Sequence, residues 1–254
     1  MRSRAVLSAM TGGMPSGEYH AVAPHNRRSL PVVTPGHGLL DPRRVHRGTT
    51  EFVEVTSSGT PVAGSVFVRV SEVLQDGVEG LLIVHTSQDG SDQRLRSVLL
   101  ERMSLRPLWT RAHDDQAAWT TQYDWLRGRA AHMPHSGPLN VRAHKFPAPP
   151  FDALSLPWVV TALPLSEELK VRLPVFDAQV QEFEWRDLVC LGRLRRGSSR
   201  STGTLRLELR GPVSTTELQI SSRQRHVKRI TEARTGPDGS TVERCWQRVR
   251  LLDG

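Results

Sequence analysis

Three groups of side chains in this sequence have types and spacing that could do chemistry. The first is aromatic. Trp119, Tyr123 and Trp125 keep a spacing of two or four residues, with Thr121 between, so they share one face of a strand. Joined by Phe67, Trp109 and Trp158, they could line an apolar groove on a curved sheet and hold an apolar small molecule or lipid. The same stripe could instead fill an ordinary closed core, which is the usual use of aromatics at period two.

The second group is His132, His135 and His144, set in a proline-rich stretch. A His-x-x-His pair can grip a metal where the backbone turns suitably. Here Pro134 lies between the pair and no glutamate follows either, so no metal site is expected. Cys190 and Cys245 fit no zinc spacing and allow at most one disulfide.

Hydrolytic chemistry lacks its parts as well. There is no Gly-x-Ser-x-Gly elbow and no Gly-Lys pair, and Gly36-His37-Gly38 has no third glycine. The carboxylates of Asp114-Asp115 and of Glu167-Glu168 are sequence neighbours and diverge on a strand or turn. The sequence therefore predicts no catalytic residue, no cofactor and no enzyme activity.

The third group is basic. Formal net charge is +8, and residues 186–254 carry all of it, with 15 Lys and Arg against 7 Asp and Glu. Arg206, Arg210, Arg223, Arg225, Lys228 and Arg229 are the candidates for contact with an anionic surface, followed by Arg244, Arg248 and Arg250. Such a face could meet an anionic membrane or nucleic acid, or be the solvated side of a sheet. Sheet-type nucleic-acid binders present two or three stacking aromatics, and here Trp246 stands nearly alone. A basic nucleic-acid-binding β module is therefore the second reading, behind a protein that binds an apolar ligand.

What must position these groups is sheet. From residue 51 to 125 alternating runs centre on Val53, Phe67, Ile83, Val98, Leu108 and Gln122. Ser58-Gly59, Asp76-Gly77 and Asp89-Gly90 punctuate them as hairpin turns. Prolines and glycines between residues 126 and 150 mark an exposed crossing with no place in a ladder. One short helix follows, capped by Asp152 or Ser155, with Trp158, Val159, Ala162 and Leu163 on one stripe and Pro164 at its end. Alternation then returns at Val171, Leu173 and Val175 and at Leu205, Leu207 and Leu209. Residues 1–46, without Ile, Phe or Trp, are expected to be a flexible segment, and 47–254 a single domain of two halves, 47–126 and 151–254.

In this order the pieces resemble a family of bacterial cell-envelope domains of unknown function, similar in fold to the lipoprotein carrier and receptor proteins. Gly59-Thr60-Pro61-Val62-Ala63-Gly64 with Val66–Val70 carries the resemblance, as does Ser104-Leu105-Arg106-Pro107-Leu108. Phe151-Asp152-Ala153-Leu154-Ser155 with Ala162-Leu163-Pro164-Leu165 completes it, over about residues 48–251. The resemblance implies a mainly β fold: a curled antiparallel sheet, an open half-barrel, with one short helix. It also implies a periplasmic or envelope home and a concave apolar face that shelters acyl chains. Two features depart from the family. Arg2 and Arg4 precede only a short apolar run, a poor export signal that would suit a cytoplasmic protein, and Leu218-Gln219-Ile220-Ser221 lacks the tryptophan expected there.

Overall fold

The computed structural model describes residues 29–252 apart from 57, 90–91, 114–117, 136–140, 197–199 and 237. Gly90, the Asp114-Asp115 pair and the first 28 residues of the expected tail lie outside the described residues.

Six strands stand where alternation places them: β1 (Gly48–Val55), β2 (Pro61–Gln75), β3 (Val78–Asp89), β4 (Asp92–Glu101), β5 (Pro107–His113) and β6 (Ala118–Asp124). Asp76 and Gly77 both have positive φ, 52° and 79°, the geometry that lets a tight turn follow the twist of β2 and β3. The stretch expected to be a bare crossing instead contains β7 (Arg129–Pro134) and β8 (Arg142–Lys145). Its described prolines fall at the last residue of β7 or beyond β8, where no ladder amide is missed. After the two-residue β9 (Phe151–Asp152) come β10 (Lys170–Asp177), β11 (Glu182–Arg196), β12 (Arg200–Arg210), β13 (Ser214–Ser221), β14 (Val227–Thr235) and β15 (Thr241–Leu252).

All fifteen form one sheet in the order β8 to β1, then β15 down to β9. Every pairing is antiparallel except β9 with β10. The two halves are thus joined through the β1–β15 ladder rather than through the proline-rich stretch.

One face of the sheet buries Val68, Val70, Ile83 and Val98 from the first half and Leu188, Leu207, Leu218 and Ile220 from the second. β4 and β11 are eight strand spacings apart, roughly 38 Å if the sheet were flat. Their side chains nevertheless share one packed cluster, so the sheet curls. The fold is mainly β, a curled antiparallel sheet with one short helix: the strands and helix stand as the alternation predicts, and the curl as the family resemblance implies.

That helix fills the middle of the curl. Ala153–Ser155, α1 (Leu156–Val159) and Val160–Ala162 run on as one helical segment. Asp152 caps it by accepting from the Leu154 amide at 2.9 Å, and Pro157 occupies a first-turn position. Leu156, Trp158, Val159, Val160, Ala162 and Leu163 are all buried in the core.

Residues 29–46, expected to be flexible, are built in from Pro31 onward. Val33 and Val45 are buried; the Val33 amide donates to the Arg172 carbonyl of β10, and the Arg172 amide donates back to the Pro31 carbonyl. A few valines and leucines suffice to anchor the segment without the larger apolar residues.

Gly80 marks a close approach of β3 to β4. A Cβ there would lie 2.7 Å from Leu99 Cδ1 and 3.0 Å from the Leu100 carbonyl oxygen. Gly80→Ala is therefore expected to lose about 1–3 kcal/mol of stability in urea unfolding, through overpacking.

Candidate functional site

The edges of the sheet close on one another through aromatic side chains. Tyr123, on the core-facing side of β6, packs edge-on against Phe176 with ring centroids 6.2 Å apart. Phe146 lies 4.9 Å from Phe176 and 6.1 Å from Phe183, and His144 of β8 lies 5.3 Å from Phe176. Phe176 points away from the face that Leu173 and Val175 bury in the core. The core-facing side of β6 therefore laps over the back of β10.

Asp152 pins this seam. Its Oδ2 accepts from the Tyr123 hydroxyl and from the Thr110 hydroxyl, each at 2.6 Å, while Oδ1 accepts from the Leu154 amide. Burial pushes the Asp152 carboxyl up to about 6 against the pull of those hydrogen bonds. Burial first, then the Asp152 charge, pushes the Tyr123 phenol up as well.

Outside the seam, around the turn after β6, lies a cleft of about 690 Å³. Trp125 stacks on Tyr123 at 6.0 Å and 13°, and its Nε1 donates to the Pro107 carbonyl at 2.7 Å. Leu126 is fully exposed and Val141 is 48% exposed, which leaves apolar side chains open beside the indole. Gln122, Ala131 and Ala143 line it as well, together with Arg106 and with Arg129, which pairs with Asp124 at 3.5 Å. Arg106 is paired with Glu101 at 2.9 Å and lies 5.7 Å over the Trp125 ring.

The predicted aromatic groove is thus dispersed. Tyr123 and Trp125 line the cleft, while Trp119 packs on His132 at 5.0 Å. Trp158 is core, set edge-on to His85 at 4.9 Å. Phe67 and Trp109 sit on the outer face, because their neighbours Val66, Val68 and Thr110 take the core side. Arg111 covers the Trp109 ring at 4.2 Å. The centre of the concave face, where an open groove was expected, is filled by the helical segment. Residue parity within β2 carried the signal for Phe67. Phe146, Phe176 and Phe183 gave no local signal at all.

The three histidines take separate partners: His132 with Thr121, His135 with Thr120 and His144 with Gln181. Cys190 and Cys245 are buried and free. Among the described residues no cluster could hold a metal, and no helix is long and apolar enough to cross a membrane.

The basic residues do not form one outward patch. Arg206 makes a two-pronged pair with Glu217, and Arg210 another with Glu208. Arg225 donates to the Leu163 carbonyl at the end of the helical segment, and Arg229 to Cys245 Sγ. Lys228 donates to the buried Thr204 hydroxyl. Arg223 alone of the six is an exposed residue in a turn with none of these partners.

A polar interior lies toward the other end of the curl. Asp177, Glu184, Arg186 and Glu232 line a cavity of about 120 Å³. Burial pushes the Glu232 carboxyl up, and the Arg186, Arg244 and Arg96 charges pull it back. Burial, aided by Arg96, holds the His85 imidazole down at about 3, so it is neutral at ordinary pH.

With this geometry the chain is a barrel-like β protein with an aromatic seam and an external apolar cleft. The same fold is found in a β-barrel-like protein of the domain of unknown function DUF1849 from Brucella abortus. The TM-score is 0.50, over 89% of this chain and 100% of that one, at 10% identity. No family model and no curated protein matches the chain.

Proposed function

We propose that this protein is a non-enzymatic binding protein that takes an apolar or lipid-like ligand in the cleft beside Trp125. The supporting observation is the cleft itself: about 690 Å³, within the roughly 300–1,000 Å³ usual for small-molecule sites. Exposed Leu126 and Val141 flank its indole, and such open apolar surface marks a contact site. Arg106 and Arg129 would face the polar end of an amphipathic ligand. A lipid-like ligand also suits the envelope setting that the sequence resemblance implies.

Titration with oleic acid, followed by tryptophan emission, tests this reading. Saturable quenching is expected at micromolar ligand. Trp125→Ala is expected to weaken binding at least tenfold, about 1.4 kcal/mol. Trp185→Phe, on β11 beside Phe183, leaves it unchanged. Linear, non-saturating quenching, or equal binding by Trp125→Ala, contradicts the proposal.

A further inference from the structure

A second site is built at the end of the curl where β14 begins and β15 ends. The pairing of β13 with β14 slips between Gln219 and Ile220, which meet Arg229 and Val227, so Lys228 is the extra residue of a bulge. β1 meets Arg248 and Arg250 at successive residues, Phe52 and Glu51, so Val249 is the extra residue of a second bulge. Arg229 pairs with Gln247, and one step further along this register Lys228 stands across from Arg248. Like charges directly opposite on adjacent strands are destabilising. Lys228, Arg248 and His226 are also half-buried.

Among the described residues no carboxylate neutralises the pair. Arg248 Nη1 lies 3.2 Å from His226 Nδ1, which as acceptor leaves the His226 proton on Nε2. The His226 ring packs at 3.8 Å against His46. Lys228 Nζ donates to Thr204 Oγ1 at 2.8 Å. Neither Lys228 nor Arg248 has a carboxylate within ion-pair distance among the described residues, whereas Arg172, Arg193, Arg206 and Arg210 all do. Burial and then the Arg248 charge depress Lys228, and burial depresses Arg248. His226 is driven down to about 4 by burial first, then by His46, Arg248 and Lys228.

We propose that Lys228, Arg248 and His226 bind a phosphate-type oxyanion, free or carried on a lipid headgroup. Two bulges turn the cations to one spot, and an anion there removes their mutual repulsion. This site stands apart from the Trp125 cleft and does not depend on it.

The test is thermal unfolding in inorganic phosphate against chloride at matched ionic strength. For wild type, phosphate about tenfold above Kd is expected to raise Tm by about 2–4 °C. Lys228→Gln and Arg248→Gln each lose that increment, while their Tm in chloride equals or exceeds wild type. Phosphate also stabilises proteins generally by exclusion, so the increment lost in the variants is the decisive reading. Should one variant fail to fold, the other is titrated with phosphate by calorimetry. Sedimentation with phosphatidylcholine vesicles, with and without phosphatidic acid, separates the sources. Binding that needs phosphatidic acid and is lost in Lys228→Gln identifies the headgroup. A phosphate increment without vesicle binding identifies the free anion. Equal Tm of wild type in both salts, or variants that keep the increment, overturns the site.

Discussion

Asp152→Ala is expected to lower the stability of the protein by about 3–5 kcal/mol. The carboxylate is fully buried and receives the Tyr123 hydroxyl, the Thr110 hydroxyl and the Leu154 amide. Removing it strands three donors at once, each costing about 1–3 kcal/mol when left unmet. It also uncaps the helical segment and unpins the seam. Asp152→Asn separates charge from shape. The native carboxyl titrates near 6, above its unfolded value of 3.8, so the folded state holds its proton more tightly. Stability from this group is present below about pH 4 and is lost as pH rises through about 6, a change of about 3 kcal/mol. Urea unfolding across that window should therefore show wild type losing ground to Asp152→Asn by about that amount. A pH-independent difference between the two would contradict the assignment.

Phe176→Ala is expected to cost about 3–5 kcal/mol, as usual for a fully buried phenylalanine. Its location makes the effect specific. Phe176 touches Tyr123, Phe146 and His144, the groups that bring the β8 end of the sheet over β10. Loss of the ring should raise amide exchange in the edge strand β8 and its neighbour β7 well before β2 and β3, which lie in the middle of the sheet. Uniform loss of protection across the sheet would show that the seam is not a separate unit.

Much of this fold was legible because it is local. The alternation of Val66, Val68 and Val70 and the Asp76-Gly77 turn define β2 and β3 without reference to the rest of the chain. Asp152 and Pro157 mark the start of the helical segment in the same way. β7 and β8 were hidden because prolines nearby suggested a broken ladder, whereas those prolines sit at strand ends. The seam was not legible at all: Tyr123, Phe146 and Phe176 meet only because the sheet curls, and curl leaves no period in sequence. The face of Phe67 was legible, since it differs in parity from its valine neighbours. The two bulges that turn Lys228 and Arg248 together depend on register across three strands, which no single stretch records.

The cleft reading is tested most directly by photocrosslinking with a diazirine-bearing long-chain fatty acid, mapped by peptide mass spectrometry. Label is predicted on Trp125, Leu126 and Val141, displaced by excess oleic acid and absent from the core segment Leu156–Val159. Label that oleic acid fails to displace, or that falls in the core segment instead, would contradict a ligand site beside Trp125.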